Sequence, residues 1–376
     1  MKYIHKSYRP TWSEINLGCL RHNYRQIREY IKPAGNMMAI VKANAYGHGV
    51  REVARELVKL GVAYLGVATL DEALMIRRTL KKAPILILGA IRGREVGVAM
   101  RHNISLTLSH EDTFNEICRV YRRRGKRSRV HIIVDTGMGR IGPWHADADS
   151  DIARWAKSRA LIAEGIYTHF SSAAFNETYT KYQLDSFNSL VRRLGREGFR
   201  FKYLHAANSV TTLGYRQAHF NLIRPGIMLY GIYPKPGFKR LINLKQVLML
   251  KTRVVYLKDV PAGRSISYGR TFTTTKRTRI ATIPIGYADG YGRILSNKAR
   301  VLVAGRRAPV VGMVTMDQTM IDVGHIAGVR LGSVVTLIGK DKNATLSAEG
   351  LSRMAGTIPY EILCSISNRV PRIYAQ

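Results

Sequence analysis

Lys42 closes the apolar run 37–41, and a turn carrying Gly47 and Gly49 follows it. A run that short and branched reads as a buried strand, with the glycines as its breaker. A lysine at the end of a parallel strand is delivered into a site, where its amine can become a nucleophile or a Schiff-base former. A strand-end lysine that merely snorkels to water is the commoner outcome of such spacing, since lysine is seldom buried unpaired. Other polar residues follow other short apolar runs in the same way. Asp135-Thr136-Gly137-Met138-Gly139-Arg140 follows 130–134, and His169 follows 166–168. Asn208-Ser209 follows 203–205, and Arg224-Pro225-Gly226-Ile227 follows 221–223. Taken singly these read as a glycine turn, a core histidine, a helix N-cap and a surface ion pair. Gathered at the strand ends of one parallel barrel, together with Lys42, they read as a site.

The stretch Val41-Lys42-Ala43-Asn44-Ala45-Tyr46-Gly47-His48-Gly49 closely resembles the pyridoxal-phosphate lysine motif of alanine racemases. The chemistry of the other strand-end residues suits that ligand. A phosphate wants backbone N–H groups at a helix start or glycine turn, plus hydroxyl donors. Ser209, Gly226 and Ile227 can supply them. A pyridine nitrogen facing Arg224 meets a group that only donates. The nitrogen then gains no proton, and the ring is a weaker electron sink, which suppresses side chemistry such as transamination. His169 lies where it could stack on or orient the ring and touch Arg224.

The resemblance runs from Val41 to Arg372, with six or more motifs in the family's order. They include Ile266-Ser267-Tyr268-Gly269-Arg270, Gly286-Tyr287-Ala288-Asp289-Gly290-Tyr291, Thr315-Met316-Asp317-Gln318 and Ile358-Pro359-Tyr360-Glu361. It implies that Lys42 bonds the cofactor and acts as one base, and that Tyr268, from the partner subunit of a head-to-tail homodimer, is the opposite base. It implies that Tyr46, Asn208, Ser209, Gly226, Ile227 and Tyr360 lie around the cofactor, most of them at its phosphate. Arg224 resembles the pyridine-nitrogen partner. Arg140 resembles the residue near the cofactor's phenolic oxygen and the substrate carboxylate, with Met316 and Asp317 at the substrate. Two bases on opposite faces avoid carrying one proton across a planar intermediate, and each works best with a pKa drawn toward neutrality. A nearby Arg224–His169 pair would lower the Tyr268 phenol from its usual value near 10. Two departures stand out. Many members carry a carbamylated lysine where this chain has Ile133, which has no amine. The segment Thr168-His169-Phe170-Ser171-Ser172-Ala173-Ala174 lacks an acidic residue that often lines the substrate entrance.

The elements that must position these residues alternate. Strand-like runs at 37–41, 62–67, 85–89, 104–108, 130–134, 162–168, 202–205 and 221–223 are interleaved with amphipathic segments such as 50–60, 70–80 and 182–198. Eight strands alternating with helices predict an α/β fold with an N-terminal (β/α)8 TIM barrel. A doubly wound sheet is the structural runner-up, although no Gly-x-Gly-x-x-Gly opens a helix. A strand at 12–17 and a helix at 19–31 stopped by Lys32-Pro33 precede this pattern. Beyond Ile242 strands dominate, at 247–257, 265–272, 279–285, 300–303, 309–314, 320–323 and 333–338, with a helix at 347–355 and a last strand near 371–374. The expected domains are a cofactor-binding barrel, 12–245, and a mainly-β C-terminal domain, 246–376, with the leader 1–11 assigned to pack on the latter.

The 376 residues carry a formal charge of +35, with pI ≈ 10.5 and a mean hydropathy of -0.12. Such a chain attracts polyanions whatever its job. Its densest basic run, 119–129, reads first as a solvated helix end that complements the helix dipole. No apolar window reaches membrane-span length and no secretory h-region follows the start, so the expectation is a cytoplasmic protein without membrane contact. Cys19, Cys118 and Cys364 have no metal spacing and read as reduced thiols. No metal and no specific nucleic acid are expected, and a small amino acid is the expected substrate. Alternatives are a racemase of another amino acid such as serine, since apolar pockets separate such pairs weakly, a barrel decarboxylase of the same cofactor class, and a polyanion-binding protein.

Overall fold

The computed structural model describes residues 8–32 and 35–375. The start of the leader, 1–7, and the helix stop at Pro33 lie outside the described residues. Strand β1 (Thr11–Asn16) and helix α1 (Leu17–Tyr30) come first. Asn16 caps α1 by accepting the Cys19 N–H at 2.9 Å, the ordinary service of an Asx residue at a helix start. The alternating part then begins with β2 (Asn36–Ile40), a short turn α2 (Lys42–Tyr46), α3 (Val50–Lys59) and β3 (Tyr64–Val67). It continues through α4 (Leu70–Thr79), β4 (Ile85–Ile87), α5 (Arg94–Arg101), β5 (Ser105–Leu108) and α6 (Glu111–Arg124). It ends with β6 (Ser128–Ile133), α7 (Asp149–Lys157), β7 (Leu161–Tyr167), α8 (Glu177–Arg196), β8 (Tyr203–His205), α9 (Ser209–Gly214) and β9 (Leu222–Ile223).

All eight expected barrel strands are present and parallel, in the order β8-β7-β6-β5-β4-β3-β2-β9. That order winds one way without the reversal that defines a doubly wound sheet. Strands β3, β4 and β5 are buried at every position, as expected where helices cover one face and side chains fill the other. The seam between β8 and β9 is closed without a ladder. The Arg224 N–H donates to Ala207 O at 2.8 Å. The Asn221 side chain does the rest: its Oδ1 accepts from Leu204 N and its Nδ2 donates to Lys202 O, both at 2.8 Å.

The second half holds β10 (Leu248–Arg253), β11 (Tyr256–Val260), β12 (Ser265–Ile266), β13 (Phe272–Thr273), β14 (Thr278–Ile283) and β15 (Arg300–Val303). It closes with β16 (Arg306–Pro309), β17 (Thr319–Asp322), β18 (Val334–Asp341), β19 (Ala344–Leu346), α10 (Ala348–Ala355), α11 (Pro359–Cys364) and β20 (Arg372–Ala375). The run 247–257, expected as one strand, is two. Val254 N bonds Ser333 O while Val255 N bonds Thr282 O, so neighbouring residues join different sheets. The run 265–272 is a hairpin with Tyr268–Arg270 at its tip. The strand expected at 309–314 lies earlier, at β16. There Ala304 and Gly305, both at positive φ, turn the chain tightly back onto β15. The exposed Arg306 and Arg307 hid that edge strand from an apolar pattern.

β1 also corrects the expected partition. It pairs antiparallel with β10 and parallel with β20, so residues placed with the barrel belong to the second sheet. Its alternating burial marks a strand with one wet face, unlike the barrel strands.

Candidate active site

Val41 N donates to Gly66 O at 2.9 Å, which carries the β2–β3 ladder to its last rung. Lys42 follows immediately, with an exposed side chain. The next four residues, Ala43, Asn44, Ala45 and Tyr46, all have φ between 52° and 55°. They form one turn of left-handed helix, closed by Gly47 N to Ala43 O at 3.0 Å. L-residues resist this geometry at about 1–2 kcal/mol each. Only a surrounding frame can hold it.

Five side chains make up that frame. Glu72 accepts Ala43 N and Ala68 N, each at 2.7 Å. Asn44 Oδ1 accepts Val50 N at 2.8 Å and so starts α3. The buried His48 points Nδ1 at Ala45 O and Tyr46 O, at 3.0 and 2.8 Å; carbonyls only accept, so Nδ1 bears the proton. Arg372 Nε donates to Gly47 O at 3.0 Å, and the Tyr374 hydroxyl donates to His48 O at 3.2 Å. A Cβ on Gly47 would lie 2.1 Å from Leu363 O, and one on Gly49 would lie 1.8 Å from the Tyr374 hydroxyl. These glycines admit α11 and β20, a stricter duty than breaking a strand. Glu72→Ala is expected to lower unfolding free energy by about 2 kcal/mol, the worth of two charge-assisted bonds to backbone N–H groups, read as a shift of the urea midpoint at unchanged slope.

Arg224 sits in the barrel interior with 3 % of its surface exposed. It has no carboxylate partner among the described residues. Nη2 donates to Thr168 O at 2.8 Å and Ala206 O at 2.9 Å, and points at His169 Nδ1 at 3.2 Å. Nη1 donates to His205 Nδ1 at 2.9 Å. Its Nε–H has no acceptor among the described residues. Burial pushes the guanidinium down to about 10, still a cation at neutral pH. Because arginine only donates, His205 Nδ1 is bare and its proton is on Nε2. That proton points at His131 Nδ1, 2.8 Å away, which leaves the His131 proton on a buried Nε2 that has no partner.

His169 is held far below the usual histidine range by burial and by the charges of Arg224, Arg140 and Lys42. Three cations from three strand ends therefore surround one neutral imidazole. Arg140 is reached through Asp135, whose Oδ1 accepts the N–H groups of Gly137, Met138 and Gly139 and whose Oδ2 accepts that of Arg140. The Arg140 guanidinium itself makes no hydrogen bond or ion pair among the described residues, and buried Ile133 offers it none. Tyr46, Gly226 and Ser209 converge nearby. Ser209 Oγ accepts Gly226 N at 3.0 Å, and a Cβ on Gly226 would lie 2.4 Å from the Tyr46 hydroxyl. Ile227 opens the short 3-10 turn Ile227–Tyr230. Asn208 caps α9 by accepting Val210 N and Thr211 N. The Tyr360 ring lies 5.9 Å from that of Tyr46. Burial pushes the Tyr46 phenol far up and the Tyr360 phenol up to about 12, so both remain donors.

Tyr268, Met316 and Asp317 lie elsewhere. Tyr268 is 75 % exposed and Met316 52 % exposed. Their loops are tied together, Ser267 Oγ donating to Met313 O at 2.7 Å, and Arg369 pairs with Asp317 at 2.6 Å. None of their hydrogen bonds or ion pairs reaches the barrel group of the same chain.

Sequence reasoning passed over Glu72, His131 and His205, and named Asp135 only as the head of a glycine turn. Thr69-Leu70-Asp71-Glu72 carries the spacing of a capping box, and Thr69 does cap α4, but the Glu72 carboxylate reaches past the cap to Ala68 and Ala43. Asp135 ahead of Gly137 is a legible Asx turn. Nothing local distinguishes the two histidines, whose partners come from other strands.

Burial pushes His48 down to about 4 and His131 down to about 3, from 6.5. A histidine with a depressed folded pKa binds fewer protons folded than unfolded. Its stabilisation is complete above pH 6.5 and is lost as pH falls through the window below it. At pH 5 each is expected to cost about 2 kcal/mol, so the urea midpoint should drop clearly between pH 7.5 and pH 5. A constant midpoint would contradict this.

The profile of the alanine racemase N-terminal domain matches residues 15–234, and that of the C-terminal domain matches residues 247–374. The chain belongs to the alanine racemase family. It is 42% identical over 370 residues to alanine racemase 2 of Caldanaerobacter subterraneus subsp. tengcongensis, covering 97% of this chain and 95% of that one. It is 43% identical to the alanine racemase of Desulforamulus reducens, with 97% and 99% covered. Among solved structures, the alanine racemase of Bacillus anthracis with bound L-Ala-P superposes with a TM-score of 0.93 at 38% identity, over 99% of this chain and 96% of that one. The eight-stranded parallel barrel followed by a mainly-β domain, expected from the alternation of strand-like runs and amphipathic segments, is the fold observed here. The enzyme is an amino-acid isomerase acting on alanine, which removes the decarboxylase alternative.

Proposed function

We propose that this enzyme interconverts L-alanine and D-alanine with pyridoxal 5'-phosphate as cofactor, through Lys42 and the Tyr268 of a second subunit in a head-to-tail homodimer. The observation that carries this reading is Arg224, a buried guanidinium with no carboxylate partner among the described residues and an unengaged Nε–H, beside the cationic group that includes Lys42. That N–H suits the unprotonated nitrogen of a pyridine. The crowded turn of Tyr46, Ser209, Gly226 and Ile227, with no room for a Cβ at Gly226, suits a phosphate. The residues fit the cofactor.

Lys42 would hold pyridoxal phosphate, whose chemistry when bound is to acidify the Cα–H of an attached amino acid. Every other role falls to side chains. Arg224 donates without giving up its proton, so the ring stays a weak electron sink and side reactions are suppressed. The neutral His169 and Arg140 orient the ring and the substrate carboxylate, and the protonated Tyr46 and Tyr360 donate to phosphate. Lys42 Nζ moves the Cα proton on one face, and Tyr268 Oη moves it on the other. The exposed placement of Tyr268, Met316 and Asp317, away from their own chain's barrel, supports a site completed by a second copy. The three cysteines are free, in keeping with a cytoplasmic enzyme that supplies D-alanine for peptidoglycan. No helix among the described residues is long and apolar enough to cross a membrane.

Subunit mixing tests the reading. Lys42→Ala and Tyr268→Phe are each expected to be nearly inactive alone, with Tyr268→Phe losing L-to-D racemisation far more than it loses cofactor loading. After co-refolding in equal amounts, half the dimers are mixed and one of their two sites has both bases, so about a quarter of wild-type activity should return. No recovery would place both bases in one chain and refute the proposal.

A further inference from the structure

In an eight-stranded βα barrel the helices run back against the strands, so every helix ends on the face where the strands begin. The group around Lys42 is on the opposite face. In this chain the last helical turns together with the connections that follow them, from α4 to β4, α5 to β5, α6 to β6, α7 to β7 and α8 to β8, are all basic. Lys82, Arg101, Arg123, Lys126, Arg159 and Arg196 represent them, all exposed. None of these six has an ion-pair partner among the described residues. Glu197 is the one carboxylate in those connections.

The sectors are stitched to one another, so the charges form one arc. Arg77 Nη2 donates to Asn103 O at 2.9 Å and Arg127 Nη2 to Leu161 O at 2.8 Å. Lys157 sits over the Phe199 ring at 5.5 Å. The buried Glu164 at the centre is already shared by Arg129 at 3.7 Å and Lys202 at 3.8 Å. Complementing helix dipoles would explain one cation in each last turn. It does not explain Lys81, Lys82, Lys126 or Arg159, which lie beyond the helices. The five barrel helices α3 to α7 carry acidic residues in their first turns, as at Glu52, Asp71, Glu95, Glu111 and Asp149, on the face of the site.

We propose that this arc is a docking surface for the phosphodiester backbone of a nucleic acid, bound without reading its bases and with the site mouth left free. Arginine predominates, and its planar fork matches phosphate oxygens in pairs. Neighbouring helices pack about 10 Å apart around a closed ring of eight, so five consecutive sectors curve through half the ring and span roughly 25 Å, a little under one duplex turn of about 34 Å. No large apolar side chain of these connections is exposed among the described residues, so the arc lacks the insertion that interfacial membrane binding uses. No aromatic platform is offered for stacking, hence no base preference.

The test is fluorescence anisotropy of the full chain, loaded with pyridoxal phosphate, against labelled duplexes of two unrelated sequences across a salt series. The arc variant Lys82→Glu/Arg101→Glu/Arg123→Glu/Lys126→Glu is compared with a control of equal charge change on the second domain, Arg306→Glu/Arg307→Glu/Lys340→Glu/Lys342→Glu. The wild type should bind both duplexes alike. At about 0.1 M salt the arc variant should bind at least about tenfold more weakly, with its logarithmic salt slope reduced by about 3, while the control stays within about threefold. Should the arc variant misfold, Lys82→Ala/Arg123→Ala/Lys126→Ala must show the same direction of change. Equal losses in arc and control variants, no wild-type binding, or tighter binding to phosphatidylserine vesicles than to duplex would each overturn the proposal.

Discussion

Lys42→Ala should abolish racemisation, by at least about ten-thousandfold, and leave the fold's stability almost untouched. Both halves follow from its setting. The side chain is exposed at the barrel mouth and makes no hydrogen bond that supports the left-handed turn behind it. Its backbone neighbours, Val41 and Ala43, carry those bonds. Borohydride treatment followed by intact-mass measurement should add one cofactor to the wild-type chain and none to the variant, at equal melting temperature. Retained activity would remove the basis of the proposed mechanism. A large loss of stability would instead assign Lys42 a structural duty.

Arg224 should behave in the opposite way. Arg224→Ala leaves Thr168 O, Ala206 O and His205 Nδ1 without their donor in the barrel interior. A buried acceptor left without its donor typically costs about 1–3 kcal/mol, and the urea midpoint should record the loss. A second substitution separates that cost from chemistry. Arg224→Glu places a group beside the pyridine nitrogen that can share a proton with it, strengthening the electron sink. Racemisation should fall and pyruvate from side transamination should appear with L-alanine. Absence of pyruvate with cofactor bound would contradict the assignment of Arg224 to the ring nitrogen.

The barrel was legible because its strands are short apolar runs separated by amphipathic helices, a period that needs no long-range information. Lys42, Arg140, His169 and Arg224 were legible for the same reason: each follows such a run. What escaped was whatever depends on partners far along the chain. β1 looks like any half-buried strand, and only its pairing with β10 and β20 assigns it to the second sheet. The split of 247–257 is invisible locally because adjacent valines bond to different sheets. His131 and His205 join Arg224 in one hydrogen-bonded line across three strands, and no spacing in the sequence announces it. The left-handed turn is the sharpest case, since Ala43, Asn44, Ala45 and Tyr46 contain no glycine to signal positive φ.

That turn has a consequence for how the enzyme comes to be competent. Alanine favours the right-handed spiral, so a free peptide of residues 43–46 would coil in the opposite sense. Handedness is imposed by Glu72 on one helix, by His48, and by Arg372 and Tyr374 at the far end of the chain. The lysine is therefore aimed only after the last strand has docked, and a ribosome-bound fragment ending before Arg372 would carry every barrel strand without that brace. Its mirror-image residues, D-alanine at 43 and 45, would adopt the native twist unaided: one of the two enantiomers an alanine racemase interconverts is the amino acid that the backbone beside the Lys42 amine would wear most comfortably.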